Sequence, residues 1–287
     1  MTRTAKNSML CPNCRKLISV DEPACPYCGQ SRTGLQRIIN AFIGSTGKMR
    51  SFDLIKAIIY INISFYILSL LLNSSAVGLS ANPLTFLSPS SNSLLLLGAT
   101  GTIPIDGFNR WWTLVSASFL HGGVLHIFFN MAALWQLGPF VLREFGFYRF
   151  VIIYIVAGTA GFFISYLANI PFTIGASGSI CGLIGAILYY GKSRGGSYGE
   201  IIYRQAMGWV VGIVIFGLFV TGINNWAHGG GIVSGILLGF LMGYRERNGE
   251  TIIHRALAIG CILLTVAILL WTTITSAYYL FLLPSLS

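Results

Sequence analysis

The chain has 287 residues, of which 54% are hydrophobic and only 9% charged, and it carries a net charge of +10. With a mean hydropathy of +0.73, that shortage of charge excludes a soluble globular domain and predicts an all-α protein that crosses the membrane several times. A positive balance by itself admits a nucleic-acid partner, but the placement of the cations, set out below, gives it a different meaning.

The first 50 residues are polar and basic and hold four of the six cysteines. Their opening, MTRTAKNSMLCPNC, lacks the apolar core of a signal peptide, so none is expected. In CPNCRKLISVDEPACPYCGQ, Cys11 and Cys14 are followed after ten residues by Cys25 and Cys28. Two C-x-x-C knuckles at this distance supply four thiolates for a tetrahedral structural zinc, and the segment resembles a zinc ribbon. Disulfides or unliganded thiols are the alternatives, and a reducing cytoplasm favours the metal. A four-cysteine site has no open position for catalysis. The expectation is a folding module over residues 1–35 that could bind a cytoplasmic partner, followed by a basic linker over 36–51.

Seven apolar segments follow, at about 54–72, 114–138, 149–168, 176–191, 206–222, 227–244 and 254–282. Polar or Gly/Pro breaks such as GKSRGGSYG, TGINN and YRERNGE separate them. With the N-terminus in the cytoplasm, seventeen of the eighteen cations lie on the inner side and only Arg110 lies outside. The positive-inside rule therefore predicts N-in, C-out. The basic charge then reports topology, and no nucleic acid is expected. Between the first two spans, residues 73–112 form a long, charge-poor segment suited to the interface, where the tryptophans of RWWT fit the aromatic belt.

Ionisable residues inside spans are candidates for function. His126 and Asn130, four apart, share a helix face near the outer end of the second span. His121 precedes them. Ser177 opens the fourth span and His228 the sixth, both at the outer end. His254 starts the last span on the inner side, where an interfacial place accounts for it. Gly178, Gly182 and Gly185 on the fourth span, and Gly231, Gly235 and Gly239 on the sixth, would let those helices pack closely. Ser177 and His228 could then meet as nucleophile and general base, with the Ser177 N–H, His126 and Asn130 available to an oxyanion. Asp106 is the only acid on the outer side, so a Ser–His dyad is expected instead of a triad. Helix–helix hydrogen bonding is the simpler reading of each residue taken singly.

The stretches HGGVLHIFFN (121–130), GASG (175–178) and AHGGGIVSGILLGF (227–240) resemble the rhomboid intramembrane serine proteases. The likeness covers roughly residues 52–244 and implies a six-helix core over 52–245 with a cavity opening outward, needing no cofactor for catalysis. It implies Ser177 as nucleophile, His228 as its base, His126 and Asn130 as oxyanion donors, and His121 as structural. Residues 246–287 would add a seventh helix and an outer C-terminus. The implied substrates are membrane proteins cut in or near a transmembrane segment within the lipid bilayer. Two positions depart from the family. Cys181 stands where an aromatic residue often stacks on the histidine, and Thr113 follows Trp112 where an arginine is common, with Arg110 slightly earlier. Two rivals are a catalytically silent rhomboid-like binder of membrane proteins and a transporter. The paired Ser177 and His228 weigh against the first, and the clustering of polar groups at one end weighs against the second.

Overall fold

The structure, a computed structural model, describes residues 8–11, 14–19, 22, 24–29, 51–79, 85–220 and 222–282. All of the expected basic linker except Ser51 lies outside this set. Among the described residues the N-terminal module has two short antiparallel strands, β1 (Ser8–Leu10) and β2 (Leu17–Ser19), pairing Met9 with Ile18. From residue 51 on, the described residues are helical apart from connections and a small hairpin of β3 (Gly78–Leu79) and β4 (Phe86–Ser88).

Seven long helices follow the seven apolar segments: α1 (Ser51–Leu71), α5 (Val124–Phe145), α6 (Phe147–Leu167), α7 (Ser177–Arg194), α8 (Gly196–Phe219), α9 (Asn225–Met242) and α10 (Ile252–Leu282). Three short ones, α2 (Ser91–Leu96), α3 (Thr102–Phe108) and α4 (Thr113–Ser116), occupy the connection between α1 and α5. Five of the long helices, α1, α5, α6, α8 and α10, are long and apolar enough to cross a membrane by length and composition. The two that fall short are α7 and α9, the glycine-rich pair carrying Ser177 and His228. The protein is thus an all-α, multi-pass membrane protein.

Two boundaries differ substantially from the expectation. The apolar segment predicts a second span at 114–138, but α5 starts at Val124 and runs to Phe145. Residues 113–119 instead make α4 and a 3-10 turn (Ala117–Phe119), every residue of which is buried. These residues are apolar because they are packed under the bundle surface, so hydropathy could not separate them from the span. At the other end Pro139 does not stop the helix, since a membrane helix tolerates proline when its neighbours re-satisfy the backbone. The fifth segment also starts early, at Gly196, because the GGSYGE stretch is already wound into α8.

Glycines set how closely the inner helices approach. A Cβ added to Gly235 would overlap the carbonyl oxygen of Gly182, one on Gly231 would overlap that of Gly178, and one on Gly185 would overlap that of Ile232. Helices α7 and α9 therefore touch backbone to backbone, which no larger residue permits. Helix α6 joins them on a second side: a Cβ on Gly161 would lie 2.5 Å from the Ala227 oxygen. At the end of the bundle remote from Ser177, Glu250 Oε1 accepts the Tyr148 and Arg149 N–H groups at 2.8 and 3.1 Å, satisfying the start of α6. The fully buried Arg149 guanidinium donates to the Phe145 and Gly249 carbonyls, tying the segment before α10 to the same place.

The packing argument separates two glycine substitutions. Gly235→Val should cost at least the ~1–3 kcal/mol typical of overpacking, because rigid backbone stands in the way. Gly212→Ala on α8, where nothing lies within 4 Å, should be neutral or slightly stabilising. Thermal unfolding of both variants in detergent checks this; equal melting temperatures would remove the close-packing account.

Candidate active site

Ser177 is the first residue of α7, and its Oγ lies 2.8 Å from His228 Nε2. Both side chains are half-buried. The contact follows from the glycine seam, since Gly178 and Gly231 meet immediately beside the pair. The remaining ring nitrogen, His228 Nδ1, is buried without a protein partner. For Nε2 to accept the serine proton, Nδ1 must carry the hydrogen.

No carboxylate completes a triad among the described residues. Asp106 is committed elsewhere, its Oδ1 accepting the Tyr166 hydroxyl at 2.9 Å. The arrangement is a Ser–His pair.

His126 is oriented by its own loop. Gly122 N–H donates to His126 Nδ1 at 3.2 Å, which fixes that nitrogen as the acceptor and leaves the hydrogen on Nε2 of the neutral ring. Nε2 then faces Gly175. The position of a Cβ on Gly175 would lie 2.7 Å from His126 Nε2 and 3.7 Å from Ser177 Oγ, so this missing side chain leaves room between an N–H donor and the serine. Gly175 has φ +126°, a backbone conformation that a side chain strongly disfavours. Asn130, buried on the same face of α5, donates one amide hydrogen to the His126 carbonyl at 2.8 Å and keeps a second.

His121 is fully buried and stands edge-on to His126, ring centroids 5.0 Å apart. Cys181 is also buried, one turn below Ser177, and faces α9 at Gly231. It fills the seam between the two helices at a size that glycine opposite can accommodate. Thr113 is buried, donates to the Arg110 carbonyl at 2.6 Å and lies 3.0 Å from Thr100 Oγ1, while Arg110 donates to the Leu95 carbonyl. Both positions therefore serve the connection between α1 and α5.

Sequence reasoning missed Gly175 as a space-maker, because its importance lies in a positive φ, and missed Asn224. The latter caps α9, its Oδ1 accepting the Ala227 N–H at 3.1 Å. An asparagine four residues ahead of His228, just before an apolar run, was the available signal.

The four N-terminal cysteines come together as well. Their Sγ atoms all lie within 4.8 Å of one another, with Cys11–Cys28 and Cys14–Cys25 at 3.6 Å. Tetrahedral zinc with bonds of about 2.3 Å separates its sulfurs by about 3.8 Å, whereas a disulfide needs about 2.05 Å. The four therefore fit one metal ion and form no disulfide. The Arg15 and Gly29 N–H groups donate to the Cys11 and Cys25 carbonyls, turning each knuckle so that its two thiols converge.

The comparisons agree with this architecture. The family model described as the Rhomboid domain matches residues 109–245. RHOMBOID-like protein 4 of Arabidopsis thaliana is 36% identical over 172 residues, 58% of this chain and 43% of that protein. Rhomboid protease GluP of Bacillus subtilis is 31% identical over 179 residues, 60% of this chain and 35% of its own length. Rhomboid-like protease 5 of Toxoplasma gondii is 32% identical over 171 residues, 55% of this chain and 19% of that protein. The chain thus spans less than two thirds of each of these relatives. Over residues 109–245 the chain is similar to the Rhomboid domain.

Proposed function

We propose that the protein is an intramembrane serine endopeptidase that hydrolyses peptide bonds in or near the transmembrane segments of membrane-protein substrates. The single observation supporting this most strongly is the 2.8 Å contact between Ser177 Oγ and His228 Nε2. Relatives named as proteases, GluP and Rhomboid-like protease 5, support the same class.

In this reading, His228 Nε2 takes the Ser177 hydroxyl proton as Oγ attacks the substrate carbonyl carbon. The carbonyl oxygen becomes an oxyanion in the space beside Gly175, receiving hydrogen bonds from His126 Nε2–H, the second Asn130 amide hydrogen and the Ser177 N–H at the start of α7. The imidazolium then gives its proton to the leaving amine nitrogen as the carbon–nitrogen bond breaks. Water attacks the serine ester next. It loses a proton to His228, which returns it to Ser177 Oγ as the acid product departs.

We read residues 52–245 as the protease core and 246–287 as an added helix, with N-terminus inside and the Ser177 end facing outward. Residues 1–35 are a cytoplasmic module in which Cys11, Cys14, Cys25 and Cys28 hold a structural zinc. Its partner, if it recruits one, is met in the cytoplasm.

Two outcomes follow. In liposomes carrying a single-span reporter, Ser177→Ala and His228→Ala should abolish cleavage, while Asp106→Asn should keep it within about threefold, since losing an exposed hydrogen bond of this kind costs about 0.5–1.5 kcal/mol of stability and leaves the pair untouched. Cleavage by Ser177→Ala equal to wild type would leave a non-catalytic binder of membrane proteins. Elemental analysis of the purified full chain should find about one zinc per molecule, falling sharply in Cys14→Ser/Cys25→Ser with reporter cleavage retained. Full zinc retention in that variant would refute the four-thiolate site.

A further inference from the structure

Asn224 does more than cap a helix. Its Nδ2 donates to Ser165 Oγ at 2.6 Å and to Thr173 Oγ1 at 2.9 Å, while its Oδ1 accepts from Ala227 N. Its carbonyl also accepts the His228 N–H at 3.2 Å. The cap fixes the orientation of the amide, because only the oxygen can accept from Ala227 and only the nitrogen can donate to the two hydroxyls. Ser165 and Thr173 are both buried. Every hydrogen-bonding atom of the Asn224 side chain is thereby spent on a different piece of chain: the last turn of α6, the segment leading into α7, and the first turn of α9.

The register of this contact is significant. Thr173 lies four residues before Ser177, and Asn224 lies four residues before His228. The bond between them and the Ser177–His228 contact close a short circuit through the two helix starts. Thr173 is held in turn by the outer connection: its N–H donates to Thr100 O at 2.7 Å and its carbonyl accepts Thr100 N–H at 3.1 Å. Further bonds from Thr102 and Ile103 N–H to the Ile170 and Pro171 carbonyls, and from Gly175 N–H to Ala117 O, extend that frame up to the residue facing His126. The glycine seam brings α7 and α9 together sideways, but glycines carry no side chain that could fix how far one slides along the other. A side chain at the helix start, bonded across the gap, can do so.

We infer that Asn224 is a positioning residue: its amide locks the start of α9 to the segment preceding α7, fixing the register of His228 against Ser177. This rests on the proteolytic reading above. A displacement of about 1 Å between reacting groups can cost about a hundredfold in rate, so loss of the lock should slow the serine without emptying the site.

The test is the reaction of the purified full chain with a fluorescent fluorophosphonate, following both the rate constant at saturating probe and the final labelled fraction. A molecule that fails to fold lowers the final fraction; a folded molecule with a misplaced histidine lowers the rate constant. Asn224→Ala should slow labelling by about ten- to a hundredfold at an unchanged final fraction. Asn224→Ser keeps a capping hydroxyl but is too short to span Ser165 and Thr173, so it should stay slow. Ser165→Ala/Thr173→Val should be comparably slow, and combining it with Asn224→Ala should add little, as expected for one shared interaction. A wild-type rate constant in Asn224→Ala, recovery in Asn224→Ser, or additive effects in the combined variant would overturn the inference while leaving the protease reading intact. Absence of labelling in wild type, matching Ser177→Ala, would instead remove the protease reading and this inference with it.

Discussion

The backbone contact between α7 and α9 is the constraint on which the rest depends. A Cβ on Gly235, Gly231 or Gly185 would overlap the carbonyl oxygen of Gly182, Gly178 or Ile232 respectively. In lipid there is no hydrophobic gain from bringing two apolar helices together, so close packing and hydrogen bonding must hold them. The seam makes that packing possible, and it ends at the turn where Ser177 and His228 meet. Neither of these two is among the described helices that are long and apolar enough to cross a membrane by length and composition. Helix α6 packs against both, and α8 and α5 pack against α7, while α9 keeps a face with Val233, Leu237 and Phe240 exposed.

Around this seam, polar groups replace what the membrane cannot offer. The start of α9 is capped by Asn224, the start of α6 by Glu250, and the connection before α5 is satisfied by a ladder of backbone bonds between residues 100–103 and 170–173. Such irregular backbone is tolerated at membrane depth only where protein buries it. The same ladder makes a rigid rim for the site, so that His126, Gly175 and Ser177 are presented by segments with few unpaired backbone groups. On the proteolytic reading proposed above, such a rim would hold the His126 and Asn130 donors in place before charge develops on an oxygen.

Much of this was legible in the sequence because charge is so scarce. Seven charge-free or charge-poor runs read directly as helices, and the glycine spacing on two of them foretold which would touch. The cysteine spacing likewise foretold four converging thiols. What failed did so for physical reasons. Residues 114–120 are as apolar as any span, since they form buried turns, and only Gly122–Gly123 hinted at the break before α5. The second segment was expected to end at 138, yet α5 continues through Pro139 to Phe145. Gly175 contributes a backbone angle and an empty space, which residue type alone does not disclose, while Asn224 carried the residue type of a helix cap but not its hydrogen-bond pattern. Asn224 looked like part of an ordinary turn in TGINN.

The central claim is that His228 makes Ser177 a nucleophile. The most direct measurement is peptide mapping by mass spectrometry of the wild-type chain and His228→Ala after reaction with a fluorophosphonate. The account predicts a single adduct, on Ser177, present in wild type and absent without the histidine. An adduct on another serine, or one on Ser177 that forms equally well in His228→Ala, would contradict it.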